Sequence, residues 1–205
     1  MKLAEIDQSK LKYPLLKKLL KDQMNNGVVK FTDLVSTVPP KTQLSSYGYV
    51  EDCYQINHPI EVVFEKYKAA NPKEAWKGGG LVDFALGLDK NNGEIYYPGD
   101  DYPGAKVGQV LYFHSSILGL KKLCMAQEIV QVDKTNNVIE FSYVEGGMTA
   151  GSQIIRFKSI SPNETQITHT SHFKGVSPAR DKYLYPYFHS KIISKFHTNL
   201  KKALG

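Results

Sequence analysis

At 205 residues, 41% of them hydrophobic and only two of them cysteine, the chain is long enough for one domain whose core needs neither disulfide nor metal to hold it. Its formal net charge of +6 comes from lysines spread over both ends and not from a tract interleaved with aromatics, which argues against nucleic acid as a partner. Cys53 and Cys124 show no CxxC or other metal-ligand spacing, so they read as free thiols of a reducing, cytoplasmic compartment, with no metal and no cofactor expected.

Residues 1–46 read as a helical extension of a main domain spanning 47–205. Leu15, Leu16, Leu19, Leu20 and Met24 lay an apolar stripe on a short basic helix that Asn25, Asn26 and Gly27 bring to a stop. Lys17, Lys18 and Lys21 interrupt that stripe, so the segment is neither a signal-peptide core nor a membrane span. It is expected to pack on the outside of the main domain, with weak contact to an anionic membrane surface as the other use of its basic face. Phe31 to Val38 is a second apolar segment, ended by Pro39 and Pro40.

From Tyr47 the texture changes. Gly48 to Ile56 is rich in β-forming residues and runs into Asn57-His58-Pro59, where proline in a first turn announces a helix over 59–69 that buries Ile60, Val63, Phe64 and Tyr67. Asn71-Pro72 breaks it, and a second short helical turn follows at Lys73 to Trp76. Gly78-Gly79-Gly80 lacks the Lys-Ser/Thr ending of a phosphate loop and follows a helix, so it reads as a flexible turn; Gly119 stands alone. Leu81 to Leu88 is a strand candidate. The loop from Asp89 to Lys106 has the length of a lid or of a disordered segment. Strands are then expected at Gln109 to Ile117, Lys121 to Val132, Val138 to Val144, Gly151 to Ile160 and Thr165 to Phe173, with hairpin turns at 133–137 and 161–164.

The last stretch, Asp181 to Leu204, has the pattern of one long closing helix. Ser177 is a natural N-cap and Pro178 suits a first turn, whereas Pro186 conflicts with a regular helix until about that position. Tyr185, Phe188, Ile192, Phe196 and Leu200 recur at three- and four-residue steps, and Lys191, Lys195 and Lys202 fall on the other side. The resulting class is α+β: a curved antiparallel sheet of about seven strands wrapping a long C-terminal helix, with two short helices after the first strand.

That order, with Ile56-Asn57-His58-Pro59 followed by Val63-Phe64, resembles the START and Bet v1-like (SRPBCC) superfamily, the helix-grip fold, over about residues 47–204. Val107-Gly108 before a strand, Ile129 to Asp133, Ile139-Glu140-Phe141, and Gly151 to Phe157 followed by Thr165 to His169 are similar to polyketide-cyclase-like and lipid-transfer members. The resemblance implies a hydrophobic small molecule held between sheet and C-terminal helix. The residues agree with this, since a curved sheet and a single helix do not easily fill the space between them and aromatic side chains crowd the strands concerned. Tyr112, His114, Phe141, Tyr143, Phe157, His169, Phe173, Tyr185, Phe188, Ile192 and Phe196 are the candidate ligand-binding residues.

His169 and His172, three apart on a strand, face opposite ways and cannot share a metal; alternation groups His169 with Ile167, Ser171 and Phe173 on the inner side, as a neutral, hydrogen-bonded histidine. Were His114, Glu128, His169 and Tyr143 to converge, they would permit proton transfer at an acidic carbon of a bound polyketide. The chain carries no nucleophile elbow, dinucleotide fingerprint, zinc motif or kinase set, and Asp100-Asp101 lacks the glycine of a calcium loop. The expected function is therefore the binding, transport or sequestration of a hydrophobic or amphipathic small molecule such as a lipid, polyketide or isoprenoid, and the alternative is a cyclase- or aromatase-like enzyme in the same cavity.

Overall fold

The computed structural model describes residues 1–77, 81–117 and 121–205, so the triple glycine at 78–80 and Gly119 lie outside the described residues. Eight strands form one antiparallel sheet: β1 (Gly48–Ile56), β2 (Val82–Asp89), β3 (Ile95–Tyr96), β4 (Gln109–Ile117), β5 (Lys121–Asp133), β6 (Val138–Tyr143), β7 (Thr149–Ser161) and β8 (Glu164–Gly175). Their spatial order is β1-β8-β7-β6-β5-β4-β2-β3, so the run from β4 to β8 is a meander and β1 closes beside the last strand. Among the described residues four α-helices accompany it: α1 (Pro14–Asn25), α2 (Ile60–Ala69), α3 (Pro72–Ala75) and α4 (Tyr185–Lys202).

The closing helix begins as its sequence suggests. Ser177 Oγ accepts the backbone N–H of Arg180 at 3.3 Å, capping a first turn that contains Pro178. A π-turn over Arg180–Leu184 then precedes α4. A proline at position 186 would press its ring on the carbonyl four residues earlier, and the wider turn opens the backbone at that point. Beyond it, Asn199 Nδ2 donates to the carbonyls of Ala75 and Lys77 at 3.0 and 2.6 Å, and Ser190 Oγ donates to Asp52 at 2.9 Å, mooring the helix to α3 and β1.

The inner face of the sheet, under α4, is filled unevenly. Phe64, Tyr67, Phe157, Ile155, Ile167, Phe196 and Leu200 pack together beneath the C-terminal half of α4, with edge-to-face rings at 5.0–5.4 Å between Phe157 and both Tyr67 and Phe64. There the interior is solid.

The outer face of the sheet is covered too. Leu3, Leu16 and Leu20 of residues 1–46 are fully buried against Leu86, Leu88, Val110 and Tyr112, so α1 lies across the back of β4 and β5 with Lys17, Lys18 and Lys21 in solvent. Thr37 ties this extension to the sheet, its N–H donating to the Tyr143 carbonyl at 2.7 Å and its hydroxyl accepting from Gly151 N–H at 2.9 Å.

The long segment 89–106 is tied down by hydrogen bonds. Residues 95–96 add the eighth strand, Tyr102 donates to Gln109 at 2.7 Å, and Ala105 N–H donates to the Lys68 carbonyl at 2.6 Å. These bonds lace the segment to the body beside α2.

Candidate functional site

Under the N-terminal half of α4 the packing stops and a cavity of about 160 Å³ remains. Its apolar wall includes Trp76, Phe113, Met125, Phe188, Ile192 and Ile193, and its polar residues include Gln127, Tyr143, Gln153, Tyr185 and His189. Alternation on β4 to β7 sends Phe113, Met125, Tyr143 and Gln153 inward, and the helical spacing of Tyr185, Phe188, His189, Ile192 and Ile193 sends them down to meet those side chains.

Behind the cavity wall runs a continuous buried chain of hydrogen bonds. Tyr67 hydroxyl lies 2.7 Å from His197 Nδ1, His197 Nε2 lies 3.0 Å from His169 Nδ1, and His169 Nε2 lies 3.0 Å from Gln153 Oε1. Gln153 Nε2 then donates to Tyr143 hydroxyl at 2.9 Å, which lies 2.7 Å from Tyr185 hydroxyl, itself 3.0 Å from Ser171 Oγ. With the amide in this orientation one direction follows: Gln153 Oε1 accepts from His169 Nε2–H, so Nδ1 of His169 accepts from His197, whose own Nδ1 accepts from Tyr67. Both histidines are thus neutral and carry the proton on Nε2. Burial, together with the neighbouring histidines, depresses them: His169 lies well below the ordinary histidine value and His197 is lowered to about 3. Burial likewise raises Tyr143 and, more strongly, Tyr185, keeping both phenols protonated.

His189 differs from these two. It is 6% exposed, its ring stacks on Tyr185 at 5.1 Å and meets His169 edge-on at 5.8 Å, yet among the described residues neither of its nitrogens has a hydrogen-bond partner. Burial lowers it to about 4, so its ring is neutral at physiological pH.

The structure separates the candidate residues into three groups. Tyr143, Tyr185, Phe188 and Ile192 line the cavity. Phe141, Phe157, His169, Phe173 and Phe196 face the interior but stand in its packed parts, Phe173 under the Tyr185 ring at 3.8 Å. Tyr112 and His114 lie on the opposite face: Tyr112 hydroxyl donates to Gln23 at 3.0 Å, and His114 stacks on Tyr13 at 4.2 Å. Glu128 is on that outer face as well, its two oxygens each 2.9 Å from Lys90 Nζ. His114, Glu128, His169 and Tyr143 therefore do not converge, and the proton-transfer set built on them is corrected. None of the residues of the loop at 89–106 lines this cavity.

Gln153, His189, His197 and Tyr67 are not among the expected site residues. A signal for two of them exists in the sequence, since Tyr185, His189, Ile193 and His197 follow one another at four-residue steps and form a second stripe beside Phe188-Ile192-Phe196.

No family model and no curated protein matches the chain. Solved structures do. Norcoclaurine synthase of Thalictrum flavum, in complex with dopamine and hydroxybenzaldehyde, superposes with a TM-score of 0.57 at 12% identity over 83% of this chain and 95% of that one. A protein of Thermus thermophilus gives 0.56 at 16% identity, covering 76% of this chain and 96% of its own. Ginseng major latex-like protein 151 gives 0.53 at 15% identity, with coverages of 76% and 96%.

Proposed function

From the Bet v1-like helix-grip fold that these structures share with the chain, we propose that the protein binds a hydrophobic or amphipathic small molecule between its sheet and α4. The observation that carries this reading is the cavity of about 160 Å³, apolar along most of its wall and polar at Tyr143, Gln153, Tyr185 and His189. The neighbour bound to dopamine and hydroxybenzaldehyde supports it by analogy of fold.

Size limits the guest. A dry cavity of about 150 Å³ takes benzene, so about one ring fits here and a whole lipid or polyketide does not unless α4 moves. The acid–base alternative loses its basis with the separation of His114 and Glu128 from His169, whose two nitrogens are moreover both occupied by protein groups. Contact with an anionic membrane would be electrostatic, through Lys17, Lys18 and Lys21, because the apolar side of α1 is covered by the sheet.

Native mass spectrometry of the purified protein, followed by titration with toluene, tests the binding reading. We expect retained or added mass and saturable binding, and loss of binding in Ile192→Trp, which places an indole in the cavity. A protein that takes up no ring-sized apolar molecule at millimolar concentration does not have this function.

A further inference from the structure

A buried imidazole with neither nitrogen partnered among the described residues, set in the wall of a mostly apolar cavity, points to what the cavity accepts. We infer that the bound molecule is a neutral, single-ring phenol or aromatic alcohol whose hydroxyl hydrogen-bonds a ring nitrogen of His189. This rests on the reading that the cavity binds a small molecule.

The remaining polar groups direct the guest's hydroxyl to His189. Tyr143, Gln153 and Tyr185 are engaged in the chain that ends at Ser171, and Ser115 donates to the Leu81 carbonyl at 2.8 Å. Gln127 lines the cavity as well, so its amide is a second neutral group that the same hydroxyl can meet beside His189. A neutral imidazole presents one N–H and one bare nitrogen, and a hydroxyl can accept from the first or donate to the second. An apolar guest would leave both nitrogens dry, whereas a hydroxyl answers one of them.

Charge narrows the class. Among the described residues lining the cavity Arg180 is the one charged side chain, and it already donates to Asp181 at 2.8 Å and to Thr149 at 2.6 Å. No carboxylate faces the cavity from the described residues, so an ammonium group would be desolvated without a counter-ion, and a carboxylate would meet an arginine whose charge is already balanced. The aromatic and branched walls, Trp76, Phe113, Phe188 and Ile192 among them, favour a flat ring.

The test compares p-cresol with toluene, which has nearly the same shape and no hydroxyl, using protein whose histidine ring nitrogens are visible by NMR. We expect p-cresol to bind about tenfold more tightly, the worth of one hydrogen bond in a dry site. We also expect the His189 ring-nitrogen signals to move with p-cresol and not with toluene, and the preference to vanish in His189→Leu. Benzoate and benzylamine should both bind more weakly than p-cresol. Equal binding of p-cresol and toluene with unmoved His189 signals, or tighter binding of either charged analogue, overturns the inference while leaving the cavity reading standing. Binding of none of the four removes both. The wild-type comparison and the ring-nitrogen signals decide even if His189→Leu does not fold.

Discussion

Gln153 stands at the midpoint of the buried polar chain and determines how the side chains on either side of it donate and accept. Its carbonyl oxygen fixes the tautomers of His169 and His197, and its amide nitrogen leaves the Tyr143 hydroxyl free to donate to Tyr185. Replacing it by leucine keeps much of its volume but leaves His169 Nε2 and the Tyr143 hydroxyl without this partner in the interior. Each such loss costs about 1–3 kcal/mol, so Gln153→Leu should lower the thermal midpoint by roughly 5 °C or more in a calorimetric scan. Tyr67→Phe, at the end of the chain, removes the donor to one acceptor and should cost about half as much. An unchanged midpoint in Gln153→Leu would mean that the chain of bonds does not contribute to stability.

At the scale of elements, α1 and β4 explain each other. Val110, Leu111, Tyr112 and Phe113 are four consecutive apolar residues, all buried, with Val110 and Tyr112 under α1 and Leu111 and Phe113 toward α4. A strand buried on both faces reads as a continuous apolar run. Such a run does not say which phase faces which neighbour, so the sequence alone groups Tyr112 with the cavity although Gln23 receives its hydroxyl on the outer face. Since Leu20 is fully buried at this contact, Leu20→Ala should destabilise by about 2–5 kcal/mol, read by urea denaturation. A change below about 1 kcal/mol would show that α1 is only loosely attached.

The whole molecule should respond to acid. His189 and His197 are held at about 4 and about 3 by burial, and His169 is held well below its ordinary value for the same reason. In the unfolded chain all three titrate near ~6.5. Between that value and the folded ones the unfolded state binds more protons, so stability is complete above about pH 6.5 and falls as pH drops toward about 3 or 4. Among the described residues no Asp or Glu side chain bonds to any of the three rings, and Tyr54, Tyr67, Tyr185 and Gln153 around them are neutral. The thermal midpoint should fall on the order of 10 °C between about pH 7 and pH 4.5, and His189→Leu should show a shallower slope. A flat profile over that range would place these histidines in contact with water.

By itself the sequence determined the order of elements, the closing amphipathic helix capped at Ser177, and with them the α+β helix-grip class, because turn residues, caps and hydrophobic periods act within a few residues of one another. It also assigned His169 to the inner face, since the period of two on a strand is local. Only the tertiary structure decided that α1 covers β4 and β5, that His114 and Glu128 turn away from His169, and that Phe157 and Phe196 fill one half of the interior while the other half stays open. Those outcomes depend on which surfaces far apart in the chain meet and how their volumes sum, and local spacing fixes neither.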